Sequence, residues 1–272
     1  MLLNQKKSLN QQDGKAEHDH LKKIFKKYKP KIVFDVESEN YTLKTATTFE
    51  ELLIVFRMRQ EIFAPHKKGQ ENAYYEWDDF DVKADHIIII DKSNNHICGT
   101  YRILCSLDTD SFYSQTEFNM DKFLAIPGIK LELGRACVRP EYRNGTIIGL
   151  LWKGLAHFTK TTKAKYLFGC SSVHTIVPKE ISEIYQYIQD TAFMEEYGIT
   201  TRKEFDCPLV PVKSYDLEFI KRMIPPLLRT YMSAGAAVYG QPALDLEFDC
   251  VDFLTILNLD EMNTAFKNRF FR

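Results

Sequence analysis

"ELGRACVRPEYRNG" occupies residues 132–145 and is followed at once by "TIIGLLWKGLAHF" (146–158). An apolar, β-prone run enters it from Ile129; Arg139, Pro140, Arg143 and Asn144-Gly145 close it. The next segment has helical spacing. It sets Ile147, Leu151, Leu155 and Phe158 on one face, with Lys153 and Lys160 roughly opposite Leu151. The stretch reads as a strand over about 129–139, a basic turn, and a helix over 146–161. A helix N-terminus presents unpaired N–H groups and a partial positive charge. A glycine in the turn before it lets the backbone approach a ligand closely, and Arg143 adds a cation. Arg143, Asn144, Gly145 and Thr146 therefore have the makings of a phosphate cradle. Alone the signal is weak, because Asn-Gly at such a junction need only make the turn. Neither G-x-x-x-x-G-K-[ST] nor G-x-G-x-x-G is present.

Outward from this unit, "KYLFGCSSV" (165–173) reads as a buried strand. Upstream, "HIIIIDKSNNHICGTYRILCSL" (86–107) is two strands around a turn. "YTLKTATT" (41–48) is a further strand. "FEELLIVFRMRQEIFAPH" (49–66) is a helix with Phe49, Leu52, Leu53, Phe56 and Phe63 near one face, stopped by Pro65. A short helix is expected near 117–124, a longer one over 178–196 and another near 216–232. A strand or two within 244–258 and a final short helix complete the chain. Antiparallel strands followed by a β-α-β crossover make a mixed sheet, α/β in the loose sense.

The chain has 272 residues, 44% hydrophobic and 27% charged, with a net charge of −1. That suits a globular protein with a real core and removes any overall electrostatic pull on nucleic acid. No apolar run approaches a bilayer span, and the N-terminus lacks the apolar core of a secretory signal. The six cysteines (98, 105, 137, 170, 207 and 250) are scattered without a C-x-x-C. They suggest thiols in a reducing cytoplasm, with neither a disulfide frame nor a metal site. Residues 1–31 form a polar arm with nine lysines against Asp13, Glu17 and Asp19. Within it, "HLKKIFKKYK" (20–29) spaces Leu21, Ile24, Phe25 and Tyr28 helically. This is a solvated tail, a small helix docked on the domain, or a helix lying peripherally on an anionic inner-membrane surface. The remainder, 32–272, reads as one domain.

"ELGRACVRPEYRNGTIIGLLWKGLA…YLFGCSS" closely resembles the GNAT-fold acyltransferases that use long-chain acyl-acyl-carrier-protein. These are the N-acyl amino acid synthases and the ornithine N-acyltransferases of ornithine-lipid synthesis, some of them labelled haemolysin-like. "LLRTYMSAGAAVYGQPALDLEFDCVDFLTIL" (227–257) resembles the C-terminal part of the same group, so 174–272 is taken as family-specific. The likeness spans about 43–260. A more distant resemblance is to acyl-homoserine-lactone synthases. Their Arg-x-x-x-Phe corresponds to Arg59 and Phe63, and their Glu-x-Asp-x-x-Asp to Glu76, Asp78 and Asp81. Their hairpin Arg after Gly corresponds to Arg102, and their Glu-x-x-Arg to Glu132 and Arg135. The tryptophan expected before the acidic cluster is displaced to Trp77, inside it.

The resemblance implies a donor site in which Arg143, Asn144, Gly145 and Thr146 hold the phosphate of acyl-phosphopantetheine. The thioester carbonyl would lie near Ala136, Cys137 and Val138, where a backbone N–H meets the oxyanion. It implies an acyl carrier protein as partner, docking on Lys153 and Lys160, and no permanently bound cofactor. It implies an amino acid acceptor at Arg59, Glu76, Asp78, Asp81 and Arg102. A partner O-acyltransferase would complete a two-chain lipid.

An amine attacks a thioester only as the free base, and an α-amino group is mostly protonated at neutral pH. A carboxylate or a water chain must take a proton. Glu132 is the first candidate, with Arg135 holding it; the alternative is that Glu132 belongs to an ion network with Arg135, Arg102 or Arg139. Arg59 and Arg102 either pair with the acidic cluster or clamp the acceptor's carboxylate. Asp78 and Asp81 read otherwise as a solvated loop. Cys137 reads as a buried small hydrophobe, not a nucleophile, since no histidine motif accompanies it. The rival functions are an acyl-homoserine-lactone-type synthase and a non-catalytic membrane-associated binding protein on the same fold.

Overall fold

The computed structural model describes residues 14–63 and 74–271. Residues 14–24 form α1. There follow β1 (Asp35–Glu37), β2 (Tyr41–Thr45), α2 (Phe49–Phe63), β3 (Asp85–Asp91) and β4 (His96–Cys105). Next come β5 (Phe118–Asn119), α3 (Asp121–Ala125), β6 (Lys130–Val138), α4 (Thr146–Thr162) and β7 (Tyr166–Val173). The chain continues through α5 (Pro178–Ala192), β8 (Phe193–Met194), β9 (Thr200–Thr201), α6 (Leu217–Met223) and α7 (Pro226–Ala234). It ends with β10 (Ala237–Tyr239), β11 (Ala243–Asp245), β12 (Cys250–Asn258) and α8 (Thr264–Phe270). Strand, turn and helix at 130–162 lie where their pattern places them. Pro65, expected to stop α2, lies outside the described residues.

The chain divides into two compact units. The first is Met1–Ile103 with Arg135–Gly154; the second is Leu104–Gly134 with Leu155–Arg272. In the first, β1, β2, β3 and β4 pair in that order, antiparallel throughout. The apolar run of β3 buries Ile87, Ile88 and Ile89 fully. The face of α2 that carries Leu52, Val55, Phe56 and Arg59 is buried with them. The lysine-rich arm contributes to this core. Leu21 and Phe25 are buried, and the Phe25 ring lies 5.3 Å from Phe56 and 6.1 Å from Trp77. Of the three readings of the arm, the docked helix is the one these residues adopt. Its apolar face is taken up by the core, and Lys22, Lys23, Lys26 and Lys27 are left exposed.

In the second unit, β6 and β7 run parallel over Lys130–Glu132 and Tyr166–Phe168. β7 then pairs antiparallel with β12 along its whole length. β12 pairs antiparallel with β10 and β11, and β10 parallel with β8. Gly169 allows the approach of β6: a Cβ there would sit 2.2 Å from the Leu133 carbonyl oxygen. A separate pair joins β5 to β9.

Three sequence boundaries move. The helix expected over 178–196 stops at Ala192 because Phe193 and Met194 are drawn into pairing with β10. The helix near 216–232 is two helices. Pro225 has no N–H to donate and forces Ile224 into an extended conformation; Pro226 restarts the helix at its first position. The short helix near 117–124 begins only at Asp121, after Phe118 and Asn119 pair with Thr201 and Thr200. All six cysteines are free thiols. Among the described residues no helix is long and apolar enough to cross a membrane.

Candidate active site

In the first unit, residues far apart in sequence form one ionic network. Arg59 sits on the buried face of α2, three residues beyond Phe56, and has no exposed surface. Its Nε donates to Glu76 Oε2 at 2.5 Å. Its Nη1 and Nη2 donate to both Asp81 oxygens at 2.7 and 3.0 Å, a bidentate pair. Arg102 on β4 donates to Asp78 Oδ1 at 2.6 Å. Arg135 on β6 donates to Glu76 Oε1 and Asp78 Oδ2, each at 3.1 Å. Asp78 and Asp81 also close a capping box around the 3₁₀ turn Asp79–Val82, which fixes where their carboxylates point.

Three guanidinium groups thus face three carboxylates. The solvated-loop reading of the acidic segment is overturned: Glu76 and Asp81 have no exposed surface. Arg59 and Arg102 pair with the protein's own carboxylates, one of the two arrangements the sequence leaves open for them. Asp78 and Arg135 are the members nearest solvent, with side chains 22% and 12% exposed. Burial alone would raise the Asp78 carboxyl. Arg102 and Arg135 outweigh it and hold the group well below the usual carboxylate range. Arg135 has φ +51° inside a strand, a left-handed backbone that a non-glycine residue rarely adopts. Its two ion pairs hold that conformation.

His86, fully buried on β3, lies 3.3 Å from the Asp81 carbonyl through Nε2, and its Nδ1 has no hydrogen-bond partner. Burial pulls the imidazole down to about 4, against the opposing pull of Asp81. An unfolded histidine titrates near ~6.5. Between those values the unfolded chain binds a proton that the folded chain does not, so stability falls as pH drops from 6.5 toward 4 and this contribution levels off below. We expect the loss to approach roughly 3 kcal/mol. His86→Gln should flatten that part of the curve of denaturant midpoint against pH; an unchanged slope would assign the acid sensitivity to other groups.

The donor residues lie on β6 and the turn after it. Ala136 and Val138 are half-buried and Cys137 is buried. Burial pushes the Cys137 thiol up to about 12, which suits an inert packing residue. Arg143, Asn144, Gly145 and Thr146 are exposed. Arg143 Nε donates to the Val138 carbonyl at 3.0 Å, and Asn144 Oδ1 caps the Thr146 N–H at 3.0 Å. Gly145 has φ +86°, and a Cβ there would meet nothing within 4 Å. The space beside the α4 N-terminus is open. Lys153 and Lys160 are exposed on α4, opposite its buried face.

Glu132 belongs to the second unit. It is 4% exposed, and it accepts the backbone N–H of Tyr113 at 2.8 Å and of Ser114 at 2.6 Å, one on each oxygen. It thereby anchors the 3₁₀ turn Tyr113–Thr116. Arg139 is engaged with Glu61 at 3.1 Å and the Ile97 carbonyl at 3.0 Å.

The same unit holds a second acidic group that reading the sequence missed. Glu117 is 1% exposed, Asp252 3% and Asp245 5%. Glu117 Oε2 accepts the Cys170 thiol at 3.4 Å, and Asp252 Oδ1 accepts the Ser172 hydroxyl at 2.6 Å. Burial, then Asp252 and Asp245, push the Glu117 carboxyl well above its ordinary range. The available signal was Asp252 itself, a charge at an inward position of the apolar run "CVDFLTIL".

This fold and these sites define a GNAT acyltransferase: the Acetyltransferase (GNAT) domain family matches residues 55–153. The chain is 30% identical over 195 residues to the L-ornithine N(alpha)-acyltransferase of Agrobacterium fabrum, covering 67% of each chain. It is 28% identical over 247 residues to that of Rhizobium meliloti, covering 84% of this chain and 83% of the other. The chain belongs to the L-ornithine N(alpha)-acyltransferase family. Among solved structures, an N-acyl amino acid synthase from uncultured soil microbes aligns over 88% of this chain and 96% of its own, with 10% identity and a TM-score of 0.46.

Proposed function

We propose that the enzyme transfers a long-chain acyl group from the thioester of an acyl carrier protein to the α-amino group of L-ornithine. The relationship to the ornithine acyltransferases carries this reading. The open basic turn supports it, because Arg143 and the α4 N-terminus flank an exposed glycine beside which a phosphate would fit. In this reading the amine nitrogen attacks the thioester carbonyl, and a backbone N–H of Ala136–Val138 meets the oxyanion. The adduct collapses with cleavage of the C–S bond and expels pantetheine as its thiolate, which solvent then protonates. Glu132 takes the amine's proton directly or through water. Its two amide bonds orient the carboxylate. In the first unit, the Arg59–Glu76–Asp81 core holds Asp78 and Arg135 in place as its partly exposed charged groups.

Mass spectrometry of the products formed from an amino-acid panel and a long-chain acyl carrier thioester tests the reading. N-acylornithine is expected. An acyl-homoserine lactone, or no acylated amino acid, would overturn it. The carrier thioester should outperform the coenzyme A thioester, and added salt should depress the carrier reaction more, because docking on Lys153 and Lys160 is screened. Equal rates for both donors at low and high salt would remove the carrier as partner.

Gly145→Val should raise the donor KM well beyond its effect on folding. A Cβ there meets nothing within 4 Å, so the main folding cost is that of the left-handed backbone, roughly 1–2 kcal/mol. It fills the space where the phosphate would lie. An unchanged donor KM would remove the cradle assignment.

A further inference from the structure

We propose that Glu117 and Asp252, backed by Asp245, form an anionic pocket that receives the side-chain ammonium of a basic amino acid acceptor. The inference rests on the amino-acid-acylating function proposed above and names what would select ornithine over a neutral amino acid.

The carboxylates are brought together by pairing, not by sequence. Asp252 on β12 lies opposite Ser172 on β7, and Asp245 on β11 lies opposite Cys250, two residues before Asp252. Glu117 arrives from the segment after the 3₁₀ turn, and its Oε2 meets the Cys170 thiol two residues before Ser172. Cys170 and Ser172 share one face of β7. Cys170 is half-buried and Ser172 exposed, so this face opens to solvent even though the carboxylates behind it are covered.

Glu117 carries the argument. Its Oε1 is buried and has no hydrogen-bond partner, the side chains that bond the carboxyl are the neutral Cys170 thiol and Tyr113 hydroxyl, and among the described residues no cationic side chain is an ion-pair partner of it. Its strongest electrostatic neighbours after desolvation are Asp252 and Asp245, both of the same sign. A buried carboxylate in such company is costly unless a cation or several donors arrive. An alkylammonium supplies both a charge and three N–H donors. A divalent metal is the rival occupant, since atoms of Asp245, Cys250 and Asp252 lie within 4.8 Å of one another. That set is poorly prepared for a metal. Asp245 Oδ1 already accepts the backbone N–H groups of Glu247 and Phe248, and burial pushes the Cys250 thiol far from its thiolate form.

The pocket is also tied to the proposed chemistry. Ser114 donates its backbone N–H to Glu132 at 2.6 Å, and its hydroxyl lies 3.5 Å from the Cys170 sulfur. One turn thus touches both the carboxylate assigned to the α-amine proton and the face assigned to the side-chain ammonium.

Calorimetry on the purified full chain with EDTA present, using L-ornithine and L-norvaline, tests the pocket without any acyl donor. Norvaline is a linear amino acid of the same chain length without the terminal amine. Ornithine should bind and norvaline should bind at least ~30-fold more weakly, the scale of a lost buried charge pair. Glu117→Gln and Asp252→Asn should each remove that preference and, in steady-state assays, raise the ornithine KM toward that of norvaline. Glu132→Gln, by contrast, should lower kcat for both acceptors alike. Two variants that fold normally and keep the wild-type preference would overturn the pocket. So would a stoichiometric divalent ion in the purified protein that is lost on Asp252→Asn. Selective ornithine binding without any N-acylornithine product would support the pocket and overturn the proposed reaction, so the two failures are told apart.

Discussion

Glu132→Gln is expected to lower turnover ~10²–10⁴-fold at neutral pH, the usual scale for losing general-base help, with the donor KM nearly kept. The defect should shrink as pH rises toward the pKa of the acceptor amine, because solvent then supplies free amine. The geometry adds a second effect. Both Glu132 oxygens accept backbone N–H groups, so the glutamine NH₂ must point at the N–H of Tyr113 or Ser114. One buried donor then loses its acceptor, at a cost of about 1–3 kcal/mol. Thermal unfolding measured beside the pH–rate profile separates the two effects. Near-normal turnover at neutral pH in the folded variant would leave Glu132 as the anchor of the 113–116 turn and nothing more. Asp78, the partly exposed carboxylate of the ionic network, would then be the next residue to substitute.

Arg59→Met should cost about 3–5 kcal/mol of folding stability, among the largest effects of any single substitution in this chain. Methionine fills the space, but it leaves the buried carboxylates of Glu76 and Asp81 facing each other without the cation between them. The comparison is Lys221→Ala, which breaks the exposed Lys221–Glu218 pair and should change stability too little to measure. Urea unfolding of the two variants and the wild type gives the answer. A loss for Arg59→Met no larger than that for Lys221→Ala would mean that the network is as well solvated when broken as when made, contrary to its burial.

Much of this architecture was legible in the chain because it is local. The strand–turn–helix at 130–162 announces itself by apolar alternation, by Asn144-Gly145, and by Ile147, Leu151, Leu155 and Phe158 at helical spacing. The 86–107 hairpin does so by two β-branched runs around Ser93-Asn94-Asn95. These signals lie within a few residues of one another, so propensity and periodicity are enough to read them. Resemblance then supplied Arg59, Glu76, Asp78, Asp81, Arg102 and Arg135 as a set. Composition had nothing to say about their partners, since any of the three arginines could in principle have faced ligand instead of protein.

Tertiary structure alone decided the rest, and the reason is electrostatic and long-range. Which carboxylate a guanidinium meets depends on how α2, β4 and β6 bring Arg59, Arg102 and Arg135 to the capping turn at 78–82. No local pattern encodes those distances. Glu132 sits three residues from Arg135 in sequence, yet the structure gives its oxygens to the amides of Tyr113 and Ser114. The lysine-rich arm stood open between a tail, a docked helix and a membrane-surface helix, because lysines dominate its composition. Leu21 and Phe25 are few, but each removes enough apolar surface from water to fix the helix in the core. Glu117 and Asp252 stand 135 positions apart and become neighbours only when β12 pairs with β7; burial then turns two ordinary acids into a site that asks for a cation.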